Sequence, residues 1–140
     1  MALAALVDTG AMVSLFGRDQ PRQRHYRALF ERAAGEAWQL STTWACVTEA
    51  SFLLDTPSRY SMLRWIAAGA IVVFPFPQEA LEEMVPVMLR YTDRPRSEMD
   101  LADATLVWLA NDTGVLKVMT TDVRDFSRYR LADGRAFEIL

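Results

Sequence analysis

The 140-residue chain contains one cysteine and one histidine. A lone Cys46 forbids an intramolecular disulfide and agrees with a reducing compartment; it reads as a small buried apolar side chain rather than a nucleophile. His25 stands among Arg22, Arg24 and Arg27, a stretch that reads as a solvated helix face. Neither Ser14 nor Ser51 has a histidine near it, which leaves a serine-hydrolase triad without its base. No glycine-rich phosphate loop is present, so nucleoside-triphosphate and dinucleotide folds lose their main support. No apolar run approaches the roughly 20 residues of a membrane helix. The opening Met1–Val7 is apolar but short, lacks a basic segment and is stopped by Asp8, so it does not read as a signal peptide. Together these absences predict a cytoplasmic protein with no membrane partner. An excess of positive charge is also missing: the net charge is −3. That excludes a general nucleic-acid clamp. Any phosphate-rich substrate must be met locally, by a bound metal or a patch of arginines.

What is present is an ordinary globular composition, 51% apolar and 24% charged, long enough to bury a core. Residues 1–140 read as a single domain, with no repeat and no linker. Leu3–Val7 is a short buried-strand pattern. Met12–Phe16 reads as a helical turn. A helix opens near Asp19 and Pro21 and runs to about Ala34, with Tyr26, Leu29, Phe30 and Ala33 on one face. Trp38–Leu40 is a second strand. Ser41, Thr42 and Thr43 are N-cap candidates for a helix from Trp44 to about Leu54. Another helix starts at Pro57-Ser58, with Met62, Leu63, Trp65 and Ile66 inward, and closes at Gly69. Ile71–Phe74 is a fully apolar third strand. Gln78–Tyr91 carries a helical pattern kinked by Pro86. Thr92–Met99 is a polar loop, Asp100–Asp112 a helix ended by Gly114, and Val115–Thr120 a fourth strand. Asp122–Arg130 is a loop with a helical turn, and Ala136–Leu140 a last strand. Strands alternate with helices and read as continuous apolar runs, the pattern of a parallel sheet covered on both faces. The fold class is therefore α/β.

In open parallel sheets, sites form at the carboxyl ends of the strands. Asp8 directly follows strand one. Glu49 lies in the helix after strand two, flanked by apolar neighbours, and a charge in such company needs a partner or a metal. Asp100 and Asp103 share a face in the first turn of their helix, where the dipole favours negative charge. Asp122 follows strand four. Asp55, Asp93, Asp112, Asp125 and Asp133 read as surface or turn residues, although Asp125 lies near enough to the fourth strand to orient a ligand. Taken singly, each acid fits a structural role equally well, since an Asp that ends a strand often only caps the next helix. The functional reading rests on their convergence. Two carboxylates about 4 Å apart repel by roughly 4 kcal/mol at an effective dielectric near 20. A cluster of them suits hard cations such as Mg²⁺ or Mn²⁺. Such ions bind phosphate oxygens and activate water, which makes phosphodiester hydrolysis the natural reaction.

The residues also match a family in order and spacing. Val7-Asp8-Thr9-Gly10, Thr48-Glu49-Ala50, Asp100-Leu101-Ala102-Asp103-Ala104, Thr120-Thr121-Asp122-Val123-Arg124-Asp125-Phe126 and Gly134-Arg135-Ala136-Phe137 resemble the motifs of PIN-domain ribonucleases, in particular the VapC toxins of bacterial VapBC toxin–antitoxin pairs. The resemblance spans nearly the whole chain. It implies a three-layer α/β/α fold with a five-stranded parallel sheet. It further implies Mg²⁺-dependent cleavage of RNA, often tRNA or rRNA, a VapB-type antitoxin that blocks the site, and a homodimer. Carried over by position, it implies that Asp8, Glu49, Asp103 and Asp122 are the catalytic, metal-binding acids. Asp100 is implied either as an additional ligand or as a helix cap, and Thr9 and Asp125 as supports.

Two other function classes fit the residues less well. A phosphotransfer domain of the receiver type needs an acid at the end of strand three, where Phe74-Pro75-Phe76 stands. A phosphatase of the Asp-x-Asp type needs a second Asp where Gly10 stands. A non-catalytic binding module that kept the fold would have no need of the full set of acids.

Overall fold

The computed structural model describes residues 3–93 and 95–140. Met1 and Ala2, part of the opening segment judged above, and Arg94, in the predicted polar loop, lie outside the described residues. Among the described residues five strands form one all-parallel sheet: β1 (Ala4–Val7), β2 (Gln39–Thr43), β3 (Val72–Phe74), β4 (Lys117–Met119) and β5 (Glu138–Ile139), in the order β3-β2-β1-β4-β5. The helices between them are α1 (Thr9–Phe16), α2 (Gln23–Gly35), α3 (Trp44–Leu53), α4 (Thr56–Ala67), α5 (Leu81–Arg90), α6 (Leu101–Thr113) and the single turn α7 (Val123–Phe126). One turn of 3-10 helix, Gln78–Ala80, leads into α5. The sheet, the helices and their alternation agree with the sequence reading. No helix among the described residues is long and apolar enough to cross a membrane.

β1 is the central strand. Leu6 and Val7 are fully buried and pair with Val118 and Met119 on one side, while Ala4–Leu6 register with Gln39–Ser41 on the other. The chain runs from β1 outward through β2 to β3 and then returns to the opposite side of β1 as β4. The order therefore reverses between β1 and β4. In open α/β sheets the crevice outside that reversal is where ligands bind.

Several boundaries differ from the sequence pattern, each for a local reason. The predicted turn Met12–Phe16 is a full helix from Thr9, because Asp8 caps it by accepting a hydrogen bond from the Thr9 amide at 2.8 Å. β2 extends through Ser41–Thr43, residues expected only as cap candidates. The two threonine hydroxyls are satisfied inside the fold: Thr42 donates to the Val7 carbonyl at 2.6 Å, and Thr43 shares a 2.7 Å hydrogen bond with Thr105 of α6. Thr43 also caps α3, accepting from the Cys46 amide. α2 starts later than expected, since Asp19 takes a left-handed conformation at φ 51° and holds Gln20 and Pro21 outside the helix. β4 is shorter than predicted and β5 only two residues long. β3, read as a fully apolar strand, lies at the sheet edge with Val72 exposed. Leu63 of α4 was expected to point inward but lies at the surface, and Leu81, Val85 and Leu89 of the apolar helical pattern in α5 are exposed as well.

α6 carries the site to the sheet edge. Asp100 caps it through a 2.8 Å hydrogen bond from the Asp103 amide, and Gly114, at φ 76°, ends it in a conformation that suits glycine. Its buried face includes Ala102, Ala104, Leu106, Val107, Leu109 and Ala110, and locks its first turn over the carboxyl edge beside α3.

Candidate metal centre at the carboxyl edge

Asp8 is the last residue before α1 and is only 4% exposed. Both of its oxygens are held: Oδ1 by the Thr9 amide at 2.8 Å, and Oδ2 by the Thr120 hydroxyl at 2.7 Å. Burial pushes its pKa up to about 7, the two hydrogen bonds oppose the rise, and the charges of Glu49 and Asp100 add to it. Thr120 closes the turn as well, since its hydroxyl accepts from the Asp122 amide at 3.0 Å. One threonine therefore links the acid that ends β1 to the acid that follows β4.

Asp103, in the first turn of α6, is 8% exposed. The Tyr129 hydroxyl donates to its Oδ2 at 2.7 Å, from a fully buried ring packed edge-on against Tyr91 and Phe126. Burial again dominates and lifts the Asp103 pKa to about 8, helped by the negative charges of Asp8, Asp100 and Asp122. Burial, and after it this hydrogen bond to Asp103, push the Tyr129 hydroxyl far above its ordinary range, so it stays protonated and a donor.

Asp122 caps α7, accepting from the Asp125 amide at 3.2 Å. Its pKa is raised by burial and by the neighbouring Asp125 carboxyl, whose side chain lies within hydrogen-bond reach. Ligand oxygens of Asp103, Asp122 and Asp125 all lie within 4.8 Å of one another. Asp125, expected only as a support, is thus one of the three most tightly gathered carboxylates. Asp8 flanks them through its field on Asp103.

Glu49 of α3 is half-buried and interacts with the Thr9 hydroxyl, which also reaches the Cys46 carbonyl at 3.4 Å. Burial raises the Glu49 pKa, and the exposed Asp100 carboxyl stands within hydrogen-bond reach of it. Asp100 is therefore a helix cap that also faces the site. Its charge acts on Asp8, Glu49, Asp103 and Asp122 alike. Glu49 and Asp100 open into a shallow groove shared with Thr48, Phe52 and Leu101.

Among the described residues no lysine or arginine pairs with Asp8, Glu49, Asp100, Asp103 or Asp122; Arg128 meets the cluster only at its rim, 3.2 Å from Asp125. Burial first, and then the neighbouring carboxylates, make the two most buried acids ionise only near neutrality when no cation is bound. An all-oxygen donor set of this kind fits a hard divalent cation. The other acids behave as surface groups: Asp55 caps α4 and pairs with Arg18, Asp93 pairs with Arg96, Asp133 pairs with Arg135, and Asp112 is exposed.

Sequence pattern alone missed Thr120 and Tyr129, the two donors that orient Asp8 and Asp103. Thr120 looked like the last residue of an apolar strand. Tyr129 lies 26 residues from the carboxylate it serves, and no periodic signal connects them.

Gly10 is set by this geometry too. A Cβ there would stand 2.0 Å from the Thr121 hydroxyl and 3.1 Å from Thr121 Cβ. Gly10→Ala is expected to push the Thr121–Asp122 turn away from β1 and to destabilise the fold by about 1–3 kcal/mol, the usual range for overpacking. Adding Thr121→Ala removes the nearest atom and should recover part of the loss. Urea unfolding of the two variants checks this; an unchanged midpoint for Gly10→Ala would mean that Thr121 swings aside without cost.

No protein-family model matches the sequence, and no curated protein matches it. Among solved structures, the chain is similar to VapC20 of Mycobacterium tuberculosis, a toxin that cleaves the sarcin–ricin loop. The two superpose with a TM-score of 0.73 at 16% identity, over 86% of this chain and 92% of that one. Likeness at this identity establishes the fold: a five-stranded parallel sheet between helices, of the PIN type.

Proposed function

We propose that this PIN-fold chain acts as one domain, a Mg²⁺-dependent endoribonuclease that serves as the toxin of a type II toxin–antitoxin pair. The observation that carries the reading is the gathering of Asp103, Asp122 and Asp125 within 4.8 Å at the switch point of the sheet, with Asp8 beside them and, among the described residues, no lysine or arginine paired with Asp8, Asp103 or Asp122. The similarity to a toxin that cleaves the sarcin–ricin loop supports an RNA substrate, with rRNA or tRNA as the class.

In this reading Asp8, Asp103 and Asp122 hold Mg²⁺ or Mn²⁺, with Asp125, Glu49 and Asp100 completing or flanking the shell. The ion, when bound, neutralises the carboxylates, attracts a phosphate oxygen and makes a water molecule more acidic. The chain's own residues supply the rest. The Thr9 amide and the Thr120 hydroxyl fix both oxygens of Asp8, so its orientation is set before substrate arrives. Tyr129 does the same for one oxygen of Asp103. Glu49, half-buried and with a raised pKa, opens toward the groove and is suited to take a proton from the attacking water. The Arg128 guanidinium at the rim of Asp125 is suited to meet an incoming phosphate.

Exposed apolar side chains on α3 and α4, among them Phe52, Leu53, Tyr60 and Leu63, support a protein partner on this flank. A VapB-type antitoxin and a second copy of the chain are the partners proposed, in the cytoplasm.

The test is direct. Purified protein is incubated with total RNA and with ribosomes in Mg²⁺, in Mn²⁺ and in EDTA, and the new 5′ ends are mapped by primer extension. Discrete cuts that vanish in EDTA are expected. Intact RNA in both metals, or cuts that persist in EDTA, would remove the metallonuclease reading.

A further inference from the structure

Most arginines of the described chain have a partner. Arg18, Arg32, Arg96, Arg128 and Arg135 pair with carboxylates, and Arg59 and Arg130 donate to backbone carbonyls. Arg22, Arg24 and Arg27 have no carboxylate partner among the described residues, and all three are exposed on the first turns of α2 or at its cap. Nothing acidic sits in the first turn of that helix. Cations there oppose the helix dipole and repel one another, so the arrangement costs stability rather than adding to it. The nearest acid in the groove that Arg24 and Arg27 line is the exposed Glu31, which forms no ion pair with either.

Tyr26 fixes the start of α2, and Arg22 with it, against β4. Its ring is fully buried, and the Arg22 guanidinium lies over it at 5.9 Å from the centroid. Its hydroxyl donates to the Thr120 carbonyl at 2.7 Å, and the Thr120 hydroxyl donates in turn to Asp8. The charges of Arg22 and of Asp8 both act on the Tyr26 hydroxyl. Arg22 is therefore linked, through one tyrosine and one threonine, to the acid that ends β1, while Arg24 and Arg27 line the groove on the outer side of the same helix.

We propose that Arg22, Arg24 and Arg27 form a backbone-binding strip around the start of α2 that holds phosphates of the RNA flanking the carboxylate cluster, Arg22 on the side that Tyr26 ties to Thr120 and Arg24 and Arg27 in the groove beyond it. The proposal rests on the ribonuclease reading and names the part of the substrate that α2 takes. A carboxylate cluster with one arginine, Arg128, at its rim repels RNA beyond the bound metal, and a chain of net charge −3 has no general field to offset that repulsion. Phosphate contacts position a strand without reading its sequence, so the strip sets affinity and register rather than cleavage specificity.

The experiment compares wild type, Arg22→Gln/Arg24→Gln/Arg27→Gln, and a control, Arg64→Gln/Arg90→Gln, that removes exposed, unpaired arginines of α4 and α5. Binding of a fluorescein-labelled hairpin RNA with the sarcin–ricin loop sequence is followed by anisotropy in EDTA, from 50 to 200 mM KCl as the working range suggested by counterion-release behaviour. Cleavage of the same RNA in Mg²⁺ gives KM and kcat. The triple variant is expected to bind about tenfold to a hundredfold more weakly, with a log–log salt slope smaller by about 2, as expected for three lost phosphate contacts to a single strand. Its loss should fall on KM, while the control keeps the wild-type slope. A triple variant with the wild-type slope and KM overturns the strip, and an acidic protein partner then becomes its reading. An equal loss in the control overturns it too, because net charge alone would explain both. If wild type binds this RNA with the strip's salt dependence but cuts nothing in Mg²⁺, the strip stands and the nuclease reading falls. If wild type binds no RNA, both fall.

Discussion

Asp103→Asn is expected to lower Mg²⁺-dependent RNA cleavage by on the order of a thousandfold, and to leave a protein that in EDTA at neutral pH is more stable than wild type. The two effects share one cause. Asp103 lies in the middle of the cluster, pressed by the charges of Asp8, Asp100 and Asp122 in a site almost closed to water. Its negative charge is unfavourable without a cation and indispensable with one. Asparagine keeps the shape and an oxygen able to accept from the Tyr129 hydroxyl, and the Asp103 backbone amide that bonds Asp100 is untouched. Removing an ionisable group whose pKa is displaced upward returns about 1.4 kcal/mol for each unit of displacement, so a gain of at least about 1.5 kcal/mol is expected at pH 8. Single-turnover cleavage and urea unfolding in EDTA measure the two halves separately. Activity within tenfold of wild type would remove Asp103 from the metal shell. A variant less stable than wild type in EDTA would mean that the carboxylate is held by something other than the cluster. A residue kept only to cap a helix predicts neither half.

Much of the fold was legible in the sequence, because buried parallel strands and helix stops leave local marks. Leu3–Val7 and Ile71–Phe74 were visible as apolar runs, and Gly114 marked the end of α6. What escaped was structure fixed at a distance. Ser41–Thr43 do not look like an interior strand, since the hydroxyls of Thr42 and Thr43 become tolerable only once Val7 and Thr105 are in place to pair with them. The helical period of Leu81–Leu89 was present, but its apolar face is mostly left to solvent, and periodicity cannot tell a face covered within the chain from one awaiting a partner. The site divides in the same way. Acids that follow strands could be found one at a time, because strand ends can be read locally. A helical turn after Asp122 was expected, but Asp125 joining Asp103 and Asp122 depends on how α7, four residues long, packs against the first turn of α6, which no local pattern shows. Asp100, open between cap and ligand on sequence grounds, proves to cap α6 with one oxygen while its carboxyl faces Glu49.

Stability without metal should fall as pH rises from about 4 to about 8, and Mg²⁺ should reverse that trend. Asp8 and Asp103 have folded-state pKa values of about 7 and about 8, against an ordinary carboxylate value of 3.8 in the unfolded chain. Below pH 3.8 both groups carry protons in both states and contribute nothing to the balance. Above it the unfolded chain releases them while the folded chain keeps them, so the folded state binds more protons and each step up in pH favours unfolding. The loss is complete once pH passes the folded values. It should amount to at least about 2 kcal/mol, since one unit of displacement is worth about 1.4. A divalent cation binds the ionised cluster, so its stabilising effect should be small at pH 5.5, large at pH 8, and accompanied by proton release. Urea unfolding at pH 5, 6.5 and 8, with and without Mg²⁺, tests the trend. Calorimetric titration of Mg²⁺ at pH 7 in two buffers of different ionisation enthalpy counts the protons, with about one to two expected from the two raised carboxyls. Should the metal-free protein be as stable at pH 8 as at pH 5, or Mg²⁺ raise stability equally at both, the carboxyls are ionised and compensated without a cation. The physical basis for a metal centre at this edge would then be gone.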